Sequence, residues 1–400
     1  MAGKMDRNWA RPYRFVILTL ACALAFMGNY LQYQVSALAV GIMGVLAIDT
    51  AGFQLLFLIP MLAAVFFSIP FGVLGDKFGP KRVVGVAFCV ALLGSMVRLV
   101  DLSNFPLQLA SMFCVGIGMA ALTANNAKTL GLWFGRRTDF AMGFYYAFSC
   151  LGISVSQATA GLAGSIEGSF ITADAALAVV VVLWWVFDRN VPRDVPVPEN
   201  AATAPAFGRA AKSKNVWLIA LCVGLTLAAT TGYAGILPQA LELDRGLDTL
   251  AAGQMASFLT LASMVGCIVT PFLYSRFSFT RSYLLCMGAM GAFVMLATWV
   301  VPGSGAAFLA VLLLNGFSTS LLGPVLQALP VVLPEIGPRY AGSAGGIIAE
   351  VSLLLSFCLP IVVSAIAGAD YGLNFAIFSC VYALALAPVV LLPKLPNKSG

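Results

Sequence analysis

Twelve stretches of about 20 mostly apolar residues, the length needed to cross a bilayer, occupy most of this chain. The first six begin near Phe15, Phe53, Val83, Pro106, Phe140 and Ile171, the second six near Asn215, Ala251, Ser282, Gly305, Ala341 and Tyr371. Such a chain has too little polar surface to face water on all sides. Of its 400 residues 60% are hydrophobic and only 10% charged, where a soluble domain carries about 25% charge. In hydrocarbon the backbone must bond to itself, which leaves helices or closed barrels. The runs are continuously apolar and lack the alternation of a barrel strand. The expectation is an all-α membrane protein with twelve transmembrane helices. No cleavable signal is read at the start, because the first run is long and no small-residue cleavage site ends it.

An even number of crossings places both termini on one side, and basic residues say which. With twelve crossings, 20 of the 22 Lys and Arg fall on a single side, Arg98 and Arg245 being the exceptions. Lys and Arg concentrate on the cytoplasmic face of membrane proteins. Both termini are therefore expected in the cytoplasm of a cell (inner or plasma) membrane protein. The net charge of +6 then reports orientation in a lipid bilayer, and no nucleic-acid partner is expected.

Enzymatic chemistry finds little support. There is no histidine, which removes the commonest metal ligand and general base. The nine cysteines lie inside apolar runs without a C-x-x-C pair and read as packing residues. No P-loop, zinc spacing or nucleophile elbow is present, so no cofactor, metal or catalytic residue is expected.

The chain also repeats. "DRNVPRDVPVPENAATAPAFGRAAKSKN" carries Pro, Ala and charge but no apolar run, and reads as a flexible linker. It divides the chain into a six-helix bundle over 1–188, a cytoplasmic linker over 189–214 and a second six-helix bundle over 215–400. At an offset of about 200, "DKFGPKR" is echoed by "SRFSFTR", Gly116 by Gly316, "RRTDFAMGF" by "PRYAGSAGGI", and Tyr33 by Tyr233. Parallel repeats joined this way are a transporter layout, with the site near mid-membrane.

"GVLGDKFGPKR" at 72–82 resembles the loop motif G-x-L-x-D-R-x-G-R-R of the major facilitator superfamily. Gly72, Leu74, Asp76, Lys77, Gly79, Lys81 and Arg82 fit it, and Pro80 departs from it. The resemblance implies two pseudo-symmetric six-helix bundles, a monomer, and a role for this loop in latching the gate against crossing 11. Asp76 would then face a helix N-terminus or a basic side chain. Other family features are missing. Met112 stands where many proton-coupled members carry an arginine on crossing 4, and crossing 5 lacks the Gly-Pro pair of drug antiporters. "LWFGRRTDFAMGF" resembles a segment of organic-anion and nitrate-type members, yet no firm mid-membrane Lys or Arg accompanies it.

By the resemblance, crossings 1, 4, 7 and 10 face the pathway, flanked by 2, 5, 8 and 11. Candidate substrate contacts are Asn29, Gln32 and Tyr33 on crossing 1, Tyr145, Tyr146 and Gln157 on crossing 5, Thr230 and Tyr233 on crossing 7, and Asn315 and Ser318 on crossing 10. Polar groups there can equally bond neighbouring helices. Glu350 stands apart. Counted from Ala341 it lies about nine residues, roughly 14 Å, into crossing 11, where a carboxylate costs about 2.5–3.5 kcal/mol to insert. It is the candidate proton carrier, with charge-pairing to a substrate amine and a structural bond as alternatives. The expected function is secondary active transport of a small neutral, zwitterionic or monoanionic solute, with the proton as coupling ion. A facilitative exchanger of small organic anions and a proton-driven exporter of cationic or lipophilic compounds remain open.

Overall fold

The computed structural model describes residues 12–189, 210–333 and 335–393. The basic residues Lys4, Arg7, Arg11, Arg193, Arg209, Lys394 and Lys398, and linker residues 190–209, lie outside the described residues, as do the side chains of Arg136 and Arg339. Every element described is a helix. In chain order these are α1 Tyr13–Ala37, α2 Ala39–Leu46, α3 Thr50–Phe78, α4 Pro80–Val97, α5 Phe105–Phe134, α6 Thr138–Thr159 and α7 Ile166–Phe187. They continue with α8 Lys214–Leu243, α9 Thr249–Tyr274, α10 Thr280–Val300, α11 Ala306–Thr319, α12 Gly323–Val332, α13 Gly337–Ala367, α14 Tyr371–Leu384 and α15 Leu386–Leu391.

Eleven spans among the described residues are long and apolar enough to cross a membrane. The twelfth crossing is α6. Its 22 residues reach about 33 Å, but Ser149, Ser154, Ser156, Gln157 and Thr159 make it more polar than the others. Every crossing starts within five residues of its expected position. Local signals explain several starts. Asn104, Ser165 and Asp370 cap α5, α7 and α14 by accepting the N–H of Leu107, Gly168 and Leu373, and each such cap contributes about 1 kcal/mol.

The chain divides into two compact units. One comprises Met1–Ile48, Leu56–Glu199 and Thr249–Ser257, the other Asp49–Leu55, Asn200–Asp248 and Phe258–Gly400. The same pairings recur in both. In the first unit α1 packs along α6, α5 along α4, and α7 against α4 and α1. In the second, α8 packs along α13, α11 along α10, and α14 against α10 and α8.

The glycine echo has a steric cause. A Cβ on Gly116 would lie 2.6 Å from the Pro60 carbonyl oxygen, and one on Gly316 would lie 2.0 Å from that of Leu259. Helices can approach so closely only where the side chain is a hydrogen, which lets α5 meet α3 and α11 meet α9.

Crossing 10, expected as one run, is interrupted between α11 and α12. The interruption sits deep in protein, with Leu321 and Leu322 almost fully buried, so backbone groups freed there need partners. Tyr382 donates to the Thr319 carbonyl at 2.9 Å and Tyr283 to that of Leu321 at 3.0 Å, which Thr270 also approaches at 3.5 Å. Side chains from three other helices thus replace the missing helical bonds.

Candidate transport site and loop motif

The loop motif forms by simple steps. Lys77 ends α3 near its C-terminus, where a cation is favoured. Gly79 then adopts φ 87°, which a residue with a Cβ resists, and Pro80 occupies the first turn of α4. Proline suits that position because its fixed φ is helical and no N–H is lost. The departure from the family pattern therefore serves as a helix start. Asp76 forms an ion pair with Lys128 of α5, so its partner in this unit is the basic side chain rather than a helix end. Beneath it, Asn125 donates to the Phe71 carbonyl at 3.1 Å, and its Oδ1 fills the space a Cβ on Gly75 would take. Lys77 lies over the Phe78 ring, and Arg82 and Leu74 are exposed.

Lys81 reaches elsewhere. Its ammonium donates to the carbonyls of Trp185 at 2.9 Å and Asp188 at 2.6 Å, at the end of α7. Trp184 Nε1 returns a bond to the Lys81 carbonyl at 3.1 Å.

The candidate contacts of the first unit are mostly engaged inside it. Asn29 donates to Ala25 of its own helix at 2.8 Å. Gln32 donates to the Phe57 carbonyl at 3.1 Å, and Tyr33 stands edge-on to the Phe57 ring at 5.0 Å. The structure thus brings Gln32 and Tyr33 together on α3. Tyr145 is buried and meets Tyr146 at 5.4 Å, while Tyr146 is exposed. Gln157 is buried on α6 with its Oε1 unbonded.

In the second unit, Thr230 bonds back to Thr226 of its own helix at 2.9 Å, and Ser318 to Asn315 at 3.2 Å. Tyr233 is fully buried with its ring 4.3 Å from Phe375. Glu350 differs from all of these. It is half-buried on α13 and has no hydrogen bond or ion pair among the described residues. Leu355 and Pro360 of α13 pack on Gly224 and Gly232 of α8; at about 100° per residue Glu350 lies about 140° round from Leu355 and about 80° from Pro360. α13 begins at Gly337, which puts Glu350 about 13 residues, roughly 20 Å, along it.

A second intramembrane acid escaped the sequence reading. Asp174 on α7 pairs with Arg98 at 3.2 Å, and both are almost fully buried. Arg98 also lies 3.7 Å over the Phe170 ring, and Gln108 donates to its carbonyl at 3.0 Å. A lone acid within an apolar run was the available signal. This pair holds α4 to α7; among the described residues Glu350 has no such counter-ion.

These features define a multi-pass helical membrane protein with a loop of charge and glycine on one unit. The family model of the Major Facilitator Superfamily matches residues 18–360, and the chain belongs to that family of membrane transporters. It is 22% identical to the probable nitrate transporter NarT of Staphylococcus haemolyticus (strain JCSC1435), over 89% of this chain and 90% of the relative. It is also 22% identical to the uncharacterized transporter YycB of Bacillus subtilis (strain 168), over 67% and 71% respectively. Among solved structures, a bacterial homolog of the human lysosomal transporter Spinster matches in two forms. The inward-facing occupied form has TM-score 0.78 and 13% identity, covering 96% of this chain and 97% of that one. The inward-facing unoccupied form has TM-score 0.75 and 14% identity, covering 96% and 95%.

Proposed function

We propose that this transporter is proton-coupled and moves a small neutral, zwitterionic or monoanionic solute by alternating access. Its moving bodies are 1–188 and 215–400, joined by a cytoplasmic linker at 189–214, with both termini cytoplasmic and the monomer as working unit in the cell membrane. The observation that carries this is Glu350, an acid in a membrane helix with no partner among the described residues. A carboxylate kept there without a counter-ion is costly, and a group that gains and loses a proton during transport supplies a reason to keep it. The candidate positions Asn29, Gln32, Tyr33, Asn315 and Ser318 offer amide and hydroxyl groups but no cation, which favours a solute of low charge. The likeness to a probable nitrate transporter makes nitrate the first monoanion to try.

The test uses purified protein in liposomes, with nitrate, formate, lactate and amino acids as probes. Wild type should accumulate one of them when a pH gradient is imposed. Glu350→Gln should still exchange that probe but lose pH-driven accumulation. Unchanged accumulation by Glu350→Gln would remove the proton-carrier role. Loss of binding as well as accumulation would instead support the second reading, in which Glu350 pairs with a cationic group of the solute.

A further inference from the structure

We propose that Lys81 and Asp188 form a pH-responsive clasp that fastens the motif loop to the end of α7 in acid and loosens it in alkali. Four bonds converge there. Lys81 caps the C-terminal carbonyls of α7 at Trp185 and Asp188, where a cation also meets the negative end of the helix dipole. Trp184 Nε1 bonds back to Lys81, and the Tyr13 hydroxyl of α1 donates to the Phe187 carbonyl. Asp188 is the residue at which α7 ends. It is only 1% exposed, and its Oδ1 has no hydrogen bond among the described residues. A carboxylate in that position is either neutral or in need of a cation.

Among the described residues, the groups facing it are few. From α4 comes the Lys81 ammonium, and from its own segment the Arg189 backbone N–H. The Arg189 guanidinium is turned onto the Tyr13 ring at 4.3 Å, and Arg14, the neighbouring charge on α1, lies over the Phe134 ring at 5.5 Å. Burial pushes the Asp188 carboxyl up to about 7, and the Arg189 N–H and Lys81 offset only part of that rise.

The direction follows from linkage. An unfolded aspartate releases its proton near 3.9, whereas the folded one holds it to about 7. Between these values the folded state binds the extra proton, so stability at this end falls as pH rises through the window and levels off above it. Below neutrality Asp188 is uncharged and Lys81 is left to the carbonyls. Above it, the buried carboxylate competes for Lys81 and draws water in. On the orientation proposed above, which this step alone rests on, the clasp faces the cytoplasm and would restrain the loop when the cytoplasm acidifies. For a proton-driven importer that is feedback.

Hydrogen exchange of the intact purified protein tests the clasp without any substrate. Backbone amides of 181–189, corrected for intrinsic rates, should be protected at least about threefold more near pH 6 than near pH 8. Asp188→Asn, permanently neutral, should show the acid-like protection at both. Lys81→Gln should lose protection at acid pH and show no step. A wild type without the step, or a step that persists in either variant, overturns the clasp. If Asp188→Asn cannot be obtained folded, tryptophan fluorescence of a variant with Trp9, Trp133, Trp217 and Trp299 replaced by Phe, which leaves Trp184 and Trp185 as reporters, should titrate with a midpoint near 7; a flat profile counts against the proposal just as decisively.

Discussion

Two loops at equivalent positions of the repeat solve the same problem with different chemistry. The loop between α3 and α4 is held by charge, with Asp76 on Lys128 and Lys81 on the helix-end carbonyls. Its echo between α9 and α10 is held by rings and hydroxyls. Tyr274 and Phe277 pack edge-on to Tyr283 at 5.2 and 5.3 Å, and Tyr274 bonds Thr280 at 2.6 Å. No acid stands in the second loop, and Ser275 merely bonds back to Phe272 of its own helix. Aromatic burial is insensitive to salt and pH, whereas exposed ion pairs and buried acids respond to both. One loop is therefore a fixed joint and the other an adjustable one.

The comparison breaks most visibly at Tyr283. Replacing this fully buried ring by alanine should cost about 3–5 kcal/mol, seen as a large drop in thermal midpoint with no change in salt dependence. A small loss would mean that the second loop is not held by its rings. Next comes Gly75→Ala, whose Cβ would fall 1.7 Å from Asn125 Oδ1; overpacking of this kind costs about 1–3 kcal/mol. Gly72→Ala, with nothing within 4 Å of its Cβ, should be nearly silent in the same melt, and equal effects would undo the argument.

Asp76→Asn should fold and insert normally but transport at least about tenfold more slowly, the equivalent of about 1.4 kcal/mol. Swapping the charges, Asp76→Lys with Lys128→Asp, should restore part of the rate, while Ser275→Ala stays within about twofold. Wild-type rates in Asp76→Asn would show the pair to be incidental. The smallest effect is that of salt. The Asp76 and Lys128 side chains are 36% and 29% exposed, so the pair contributes at most about 1 kcal/mol. The stability gap between wild type and Asp76→Asn should narrow between about 0.1 and 1 M salt, and a constant gap would place the pair out of reach of solvent.

Much of the architecture was legible because hydrophobic length is a one-dimensional signal. Every crossing start came out within five residues, and the Gly116 and Gly316 echo proved to mark the same close helix contact in each unit. The partners were not legible, because pairing is three-dimensional. Lys128 lies 52 residues from Asp76 and Asp174 lies 76 from Arg98, and no periodicity connects either pair. Asp174 could still have been suspected as an acid inside "ITADAALAVVV". The interruption of crossing 10 carried a hint in Gly323-Pro324, a dipeptide that marks turns, but an apolar run on both sides hid it. Tyr33 and Tyr233 were read as counterparts in the repeat, and each packs against a phenylalanine of its own unit, Phe57 and Phe375.

The interruption of crossing 10 also bears on how force passes through the second unit. A bend whose backbone carbonyls are left to water can flex, because each new angle costs nothing in lost bonds. Here Tyr382 and Tyr283, with Thr270 nearby, bolt the Thr319 and Leu321 carbonyls to three neighbouring helices. Straightening the bend would give these carbonyls back to helical N–H groups and strand the buried Tyr382 and Tyr283 hydroxyls, at about 1–3 kcal/mol each. The bend therefore transmits motion as a stiff elbow, so that a push at α12 arrives at α11 and at the flanking α9, α10 and α14 together.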